Sequence, residues 1–366
     1  MTTTTDTTPS ESATMQSQDD DAVEGQETDF GQDESFDRRS VWYVLRKTVR
    51  EFADDRCTDL AAALTYFSVL AIFPATLALL SLLGVFGQGD KSLNVVLKVI
   101  SPLVSASTLQ NIQGPLERLA NSEAAGWTLV VGLVGALWSA SAYVGAFGRA
   151  MNRIYEVEEG RPFWRLRPMN LLVTLASVVL CAVALVILVV SGRLATAIGD
   201  QIGLGDQAVT AWSYAKWPVL ALVVVAVVAI LYHFTPNVRT PKLRVLSVGA
   251  FVAILVWIAA SVGFAFYVAN FSSYDKTYGS VAGVVIALLW LWLTNLALLF
   301  GAELDTELER ARELHRGLAA EEQLQLPMRS ERGIVRAAAR REKDAARGRA
   351  IREARVGAGD PTDRPF

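Results

Sequence analysis

The sequence predicts an all-α, polytopic membrane protein with six transmembrane helices, two amphipathic surface helices, and polar tails that are disordered or helical. Composition is the first reason: 52% of the residues are hydrophobic and 19% are charged, whereas soluble domains are nearer a quarter charged. Long uncharged runs are the second. Residues 280–302 carry no charge and would form a helix of roughly 34 Å, enough to cross a hydrocarbon core of about 30 Å.

The N-terminal elements come first in the chain. Residues 1–37 are polar and acidic and contain no Lys or Arg, so we expect a disordered acidic tail and no cleavable signal peptide. Residues 38–309 form the predicted membrane domain. It opens with an amphipathic helix on the cytoplasmic surface, because Val41, Leu45 and Val49 recur at helical spacing among basic residues.

The predicted spans are stretches of mainly apolar residues long enough to cross the bilayer. They lie at about 60–87, 126–148, 170–191, 217–234, 245–270 and 279–303. Pro74 falls near the middle of the first span and predicts a helix kink. The second span is rich in Gly, Ala and Ser, which predicts a central helix packed on several sides. Between these two spans, 88–125 repeats apolar residues at helical spacing and predicts two short surface helices, with a re-entrant hairpin as the alternative.

Loop charges predict the orientation. The loops at 150–169 and 235–244 are rich in Arg and Lys, whereas the loops at 192–216 and 271–278 are not. Positive charge marks cytoplasmic loops, so both termini are expected in the cytoplasm. Residues 310–366 form a charged, Arg-rich cytoplasmic tail that we expect to meet anionic inner-leaflet headgroups. No aromatic residue lies among its basic residues, so nucleic acid is not an expected partner. Small-residue helix faces permit a homo-oligomer.

Candidate functional residues are polar groups within or beside the spans, and they form two sets by depth. The deeper set is Ser139, Ser141, Tyr143, Thr294 and Asn295. The set at the cytoplasmic boundary is Arg149, Asn152 and Glu303. The deeper set either joins helices by hydrogen bonds or lines a path for a passing headgroup. Glu303 is expected to pair with Arg149 or Arg153, which would fix helix packing or line a cytoplasm-facing cavity.

No residue pattern indicates a catalytic site, a cofactor site or a metal site. Cys57 and Cys181, like His233 and His315, are too far apart for metal-ligand spacing. No paired carboxylates lie within a predicted span. The sequence also has no nucleophile-elbow motif and no phosphate-binding loop.

Four segments, taken in their order, resemble a known family. They are DLAAALTYFSVLAIFP at 59–74, LWSASAYVGAFGRAMNRIY at 137–155, FTPNV at 234–238, and the closing YGSVAG and LLWLWLTNLALLFGAELD within 278–305. This ordered set resembles the YihY/BrkB family of bacterial inner-membrane proteins, whose older label is ribonuclease BN-like. The resemblance covers about 38–309 and implies six helices in the bacterial cytoplasmic membrane with both termini cytoplasmic. It also implies an association with envelope integrity and lipid or lipopolysaccharide export.

The expected function is therefore non-enzymatic: moving, or assisting the movement of, a lipid or other amphipathic envelope component. The alternative is a structural or scaffolding protein for envelope integrity, whose tails recruit partners. A remote alternative is ribonuclease BN-like tRNA processing. The residues do not support it, because a zinc-dependent nuclease needs a histidine-rich ligand set with carboxylates.

Overall fold

The structure is a computed structural model that describes residues 38–85, 125–189, 206–239, 247–270 and 282–357. These residues form eight helices, numbered here in chain order. They are α1 Arg38–Asp54, α2 Cys57–Val85, α3 Ala125–Ile154, α4 Phe163–Val189, α5 Asp206–Phe234, α6 Val248–Asn270, α7 Ala282–His315 and α8 Arg332–Gly357. The remaining described residues form loops with one isolated antiparallel bridge, Val238 to Met328. The all-helical prediction is confirmed for these ranges.

Two predicted segments fall outside these ranges. They are the acidic tail at 1–37 and the surface helices at 88–125, apart from Ala125, which begins α3. The chain divides into two compact units, Met1–Val41 and Trp42–Phe366. In the first unit the structure describes only the opening residues of α1. Helices α2 to α8 belong to the second unit.

Four helices in the described part of the chain are long and apolar enough to cross a membrane. They cover Phe163–Ala184, Thr210–Phe234, Val248–Asn270 and Ala282–His315. At most 22% of the apolar window of any of them is buried within the protein, so their apolar side chains face outward, as in lipid-exposed helices. A shorter apolar helical segment covers Cys57–Ala71. The multi-pass membrane class is thus confirmed, and the count of six spans stays a prediction.

A left-handed residue separates α1 from α2. Arg56 has φ of 54°, a backbone conformation that few non-glycine residues adopt. Helix α2 then begins at Cys57 with Asp59 in its first turn, where a carboxylate interacts favourably with the helix dipole. Pro74 lies within α2, and the kink expected there stays a prediction.

Helices α2 to α6 each pack against the next helix in the chain, and α7 also packs against α2. Helix α3 makes further contacts with α5 and α7. Among helices α2 to α7, it therefore packs against four of the other five. Phe147 of α3 is fully buried. Its ring stacks between those of Tyr143 and Tyr232, with 6.2 Å between centroids on each side. Aromatic packing on a helix rich in small residues therefore joins α3 to α5.

Helices α6 and α7 approach each other closely at two glycines. A Cβ atom built on Gly249 would lie 2.1 Å from the carbonyl oxygen of Gly301, and a Cβ on Gly301 would lie 2.8 Å from the Tyr232 hydroxyl. Small residues permit such backbone approach between helices in lipid. At the same point Asp305 accepts a 2.7 Å hydrogen bond from the Gly249 N–H, so a carboxylate of α7 caps the N-terminus of α6.

Polar connections gather at one end of the packed helices, which we call the charged end. This end contains the polar segment of α7 at 303–315. It also contains five helix termini: the starts of α2, α4 and α6 at Cys57, Phe163 and Val248, and the ends of α3 and α5 at Ile154 and Phe234. Residues 316–331 follow α7 and pass the α3–α4 and α5–α6 connections before α8 begins, with hydrogen bonds from Ser330 to Gly160 and from Asn237 to Ser330.

Candidate functional site

One buried hydrogen-bond cluster joins three helices. Asn295 of α7 is 2% exposed. Its amide oxygen accepts a 2.9 Å hydrogen bond from the Tyr143 hydroxyl of α3, and its amide nitrogen donates at 3.2 Å to the Thr65 hydroxyl of α2. Thr65 in turn donates to the backbone of its own helix at 2.8 Å. These polar groups use one another as partners, which is the arrangement of helix-joining polar residues in membranes.

The other residues of the predicted deeper set do not join this cluster. Thr294 accepts a 3.1 Å hydrogen bond from the indole N–H of Trp257, so it connects α7 to α6. Ser141 donates to a backbone carbonyl of its own helix at 2.7 Å. Ser139 lies 3.4 Å from a backbone carbonyl of α2. Of the five predicted residues, the structure therefore brings only Tyr143 and Asn295 into contact through their polar atoms.

The predicted pairing at the boundary is replaced by other contacts. Glu303 is 1% exposed, and its carboxyl oxygen lies 3.4 Å from the thiol of Cys57. Arg149 is exposed, with its guanidinium 6.0 Å from the centre of the Phe67 ring. Arg153 pairs with the carboxylate of Asp55 at 3.3 Å. Among the described residues, Glu303 therefore has a thiol neighbour where the sequence predicted an arginine.

Asn152, the remaining boundary residue, belongs to a network at the charged end. Its amide oxygen accepts a 2.7 Å hydrogen bond from the backbone N–H of Asn237, and its amide nitrogen donates to Glu159 at 3.0 Å. Asn237 is fully buried and donates to the carbonyls of Glu158 and Ser330 at 3.0 and 2.9 Å. This pair of amides ties the α3–α4 connection to the segment that follows α7.

Arg161 caps the C-terminus of α5. It donates to the carbonyl of Thr235 at 2.6 Å and forms two hydrogen bonds with the Glu159 carboxylate, at 2.8 and 2.7 Å. Cations stabilise helix C-termini, where carbonyls lack partners. Burial disfavours the Glu159 charge, but the hydrogen bonds and charge of Arg161 outweigh it, so the pKa of Glu159 lies below its usual value.

Arg329 contacts the same helix end from the opposite part of the chain. It donates to the carbonyl of Val238 at 2.7 Å and to that of His233. Within the described residues Arg329 has no carboxylate partner. Burial, together with the charge of Arg161, lowers the pKa of Arg329. Its positive charge is thus held in place by backbone dipoles, and no acid in the described part of the chain neutralises it.

A second network at the charged end is centred on Arg310, which is 1% exposed. Its guanidinium pairs with Glu307 at 3.1 Å and with Glu156 at 2.8 Å, and it donates to the carbonyl of Ala320 at 2.9 Å. Lys47 of α1 lies 3.5 Å from the second oxygen of Glu307. This network joins α1, α7 and two loops, and a buried charge of this kind requires such partners.

An apolar groove lies where α5 and α6 pack only weakly against each other. It has a volume of about 300 Å³ and is partly open. Its walls come from α4, α5, α6 and α7: Cys181, Ala184, Val223, Val224, Val227, Val228, Leu231, Ala253, Ile254, Trp257, Thr294 and Leu298. The volume falls within the range of ligand pockets, which are mostly apolar with few polar groups. The Trp257–Thr294 hydrogen bond forms part of its wall.

The structure gives no geometric basis for metal chemistry in the part of the chain that it describes. No group of three or more His, Cys, Asp or Glu residues there could hold a metal ion. The described carboxylates at the charged end instead contact arginine, lysine, thiol or backbone groups.

Sequence reasoning missed three features of this region. It did not assign Thr65 to the deeper cluster, Cys57 to Glu303, or Arg310 to a buried site. The first two lie in or next to the quoted segment at 59–74, so a search for polar residues at matching depth in every span would have found Thr65. Arg310 carried no such signal, because its neighbours in the sequence are charged.

Comparison with known proteins gives one family. The model for the family described as Virulence factor BrkB matches residues 48–325. The chain is 32% identical over 254 residues to the ribonuclease-like protein YfkH of Bacillus subtilis (strain 168), covering 69% of this chain and 90% of YfkH. It is 30% identical over 268 residues to a UPF0761 membrane protein of Alkalilimnicola ehrlichii, covering 69% of this chain and 55% of that protein.

A UPF0761 membrane protein of Xanthomonas axonopodis pv. citri is 25% identical over 270 residues, with 72% of this chain and 60% of that protein covered. The chain therefore spans little more than half the length of these two UPF0761 proteins. No solved structure matches the chain.

Proposed function

The chain belongs to the Virulence factor BrkB family, and from this premise we propose that it moves, or assists the movement of, a lipid or other amphipathic envelope component. It would do so without catalysis, in the cytoplasmic membrane of a bacterium. The groove between α4, α5, α6 and α7 carries the proposal, because it offers an apolar, partly open binding surface between apolar helices.

The proposed topology has six spans with the charged end in the cytoplasm. Helices α2 and α3 add two spans to the four that are long and apolar enough by themselves. Four arginines lie in or beside the α3–α4 connection, and three basic residues lie in the α5–α6 connection: Arg153, Arg161, Arg165 and Arg167, and Arg239, Lys242 and Arg244. Such basic segments stay in the cytoplasm. Helix α8, exposed along nearly all of its length and rich in arginine, would then lie on the side of the anionic inner leaflet.

A scaffolding function is the second candidate, and one observation favours it. The cluster of Thr65, Tyr143 and Asn295 is internally hydrogen-bonded, so these groups hold helices together without leaving a polar passage between them. A scaffolding protein would require this helix packing, and its function would not depend on the groove.

Lipid movement in vesicles separates the two candidates. The purified protein is reconstituted into liposomes with a fluorescent phospholipid, and a membrane-impermeant reductant reports how fast label reaches the outer leaflet. We expect faster movement than in empty liposomes. Val224→Trp, which fills the groove, should abolish the gain, whereas Leu222→Trp, on an exposed face of the same helix, should retain it.

Three outcomes would count against the proposal. Equal rates with and without protein, across zwitterionic and anionic headgroups, would support scaffolding. Thermal unfolding first checks that Val224→Trp is folded like the wild type. Equal lipid movement by the two folded proteins would then show that the groove takes no part in the mechanism. Cleavage of tRNA by the purified protein, lost on a point substitution within a span, would restore the ribonuclease alternative.

A further inference from the structure

On three of its four walls, the groove lies at the depth of one leaflet. On α5 its lining runs from Leu231, three residues before the helix end at Phe234, to Val223. This nine-residue stretch spans roughly 12 Å of helix, at about 1.5 Å for each of its eight steps. Half of a hydrocarbon core of about 30 Å is about 15 Å. On α5 the groove therefore extends from near the charged end to about the middle of the proposed membrane.

The walls on α6 and α7 give the same depth. Ala253 and Trp257 lie five and nine residues after Val248, where α6 begins at the charged end. Leu298 and Thr294 lie five and nine residues before Glu303 on α7. At about 1.5 Å per residue, both walls cover depths of roughly 7 to 14 Å from the charged end. The α4 wall lies deeper, because Cys181 and Ala184 are 18 and 21 residues after Phe163, roughly 27 and 32 Å at about 1.5 Å per residue. The groove thus begins in the leaflet on the side of the charged end, and its α4 wall extends beyond the membrane middle.

The lining chemistry selects a hydrocarbon chain over a headgroup. Most lining residues are aliphatic, and the hydroxyl of Thr294 is already bonded to Trp257 and to a backbone carbonyl. A polar headgroup placed there would lose its hydration without gaining hydrogen-bond partners, which is unfavourable. A methylene chain loses nothing polar and gains apolar contact.

The groove also continues an apolar surface that faces lipid in the proposed topology. Beside it, Leu222 of α5 and Phe251 of α6 are 66% and 54% exposed, and Cys181 of α4, in its wall, is exposed. A chain of a neighbouring lipid can therefore enter from the side without crossing a polar barrier.

A positive charge lies at the same end of α5 as Leu231, the α5 lining residue nearest the charged end. Arg329 donates to the carbonyl of His233, two residues beyond the groove-lining Leu231. Arg329 is only partly buried, and among the described residues no carboxylate neutralises it. A guanidinium in this position complements a phosphate group.

We propose that the groove binds one acyl chain of an anionic glycerophospholipid from the leaflet at the charged end, with the lipid phosphate toward Arg329. This inference deepens the proposed function, on which it rests, by naming the substrate class, the leaflet and the residues of the site.

Photocrosslinking in vesicles tests the site directly. The full-length protein is reconstituted in phosphatidylcholine vesicles that contain phosphatidylglycerol with a diazirine near the end of one acyl chain. After irradiation, mass spectrometry locates the adducts. We expect adducts on 223–231 of α5 that are competed away by unlabelled phosphatidylglycerol. Adducts at Val262 and Phe266, which are exposed on α6 away from the groove lining, should fall only in proportion to dilution of the probe.

Variants assign the two parts of the site. Val224→Trp should remove the competed adducts, whereas Leu222→Trp should keep them. Arg329→Gln should erase the preference for phosphatidylglycerol over phosphatidylcholine as competitor, and Arg329→Lys should restore it in part. Arg341→Gln, which removes an exposed positive charge of α8, is the matched control and should leave the preference unchanged.

The outcomes for the site and for lipid movement are separable. Adducts on 223–231 that decline only by dilution, or that survive Val224→Trp in a folded protein, would overturn the site. Equal competition by both lipids in the wild type would overturn the role of Arg329. Competed adducts without accelerated lipid movement would leave the site in place and refute the proposed function. Accelerated lipid movement without competed adducts would support the proposed function and refute the site.

Discussion

Replacing Gly301 with alanine tests whether backbone contact between α6 and α7 stabilises the helix packing. Gly301 faces Gly249 so closely that a Cβ would meet the Gly249 oxygen, the Ala253 Cβ at 2.5 Å and the Tyr232 hydroxyl at 2.8 Å. The first two atoms belong to α6 and the third to α5. A rotamer change cannot relieve contacts with backbone and Cβ atoms, so the helices would have to move apart.

Two opposing effects set the magnitude of this substitution. Alanine is better than glycine within a helix by roughly 0.5–1 kcal/mol. Forcing a methyl group into a filled contact costs typically about 1–3 kcal/mol, and this site lies at the upper end because two helices must shift. The free energy of unfolding should therefore fall by about 1–2 kcal/mol, the difference between these two effects.

Gly263→Ala on α6 is the matched control. Nothing lies within 4 Å of a Cβ built on Gly263, so this substitution should gain helix propensity and raise the free energy of unfolding by up to about 1 kcal/mol. Reversible unfolding of the full chain in bicelles, followed by steric trapping, measures both variants. The two substitutions should thus change stability in opposite directions.

Equal stability of Gly301→Ala and Gly263→Ala would refute this reasoning. It would mean that α6 and α7 separate easily at Gly249, and that the 2.7 Å hydrogen bond from Gly249 to Asp305 does not depend on close helix contact.

Two further predictions concern the charged end. Arg310→Met should lower the free energy of unfolding by about 3–5 kcal/mol, because it leaves the buried carboxylate of Glu307 without its guanidinium partner. The control is Arg341→Met: the Arg341 side chain is 70% exposed, so the free energy of unfolding should change by less than about 1 kcal/mol. Similar losses in the two variants would contradict the buried network. Because Arg161 holds the pKa of Glu159 below its usual value, the stability that Glu159 contributes should be complete above about pH 4.3, the ordinary glutamate pKa, and decline as pH falls through the lowered pKa. Glu159→Gln should flatten this decline in a pH series of unfolding experiments, and an unchanged decline would exclude Glu159 as its source.

The sequence predicted the helical membrane class well because hydrophobic runs report directly on the lipid environment. The run at 280–302 lies almost entirely within α7, and its neighbours α4, α5 and α6 have the length and hydropathy of spans. Depth along a helix was also readable, since it follows from residue counting. That is why Asn295 and Tyr143, chosen for similar depth, form a hydrogen bond.

Partner choice was less predictable, because depth does not tell which face of a helix a side chain occupies. Thr294 is next to Asn295 in the sequence but points to α6, where it meets Trp257. Glu303 and Arg149 were expected to pair by depth, yet Glu303 meets Cys57 of α2. A rotation of about 100° per residue separates adjacent positions on a helix, given 3.6 residues per turn. Pairing therefore depends on which helices are neighbours, which a single sequence does not show.

The burial of polar groups bears on the route that a lipid would take past this protein. A headgroup passing between the helices would have to break the hydrogen bonds of Asn295, and each buried group left without a partner costs about 1–3 kcal/mol. The groove makes no such demand, because its single hydroxyl is already bonded within the wall. If the proposed function holds, the hydrocarbon chain is the part of the lipid that the protein grips, and the headgroup travels along the outside of the helices. Substitutions in the groove should then affect lipid movement more than substitutions of the same size at the Asn295 cluster.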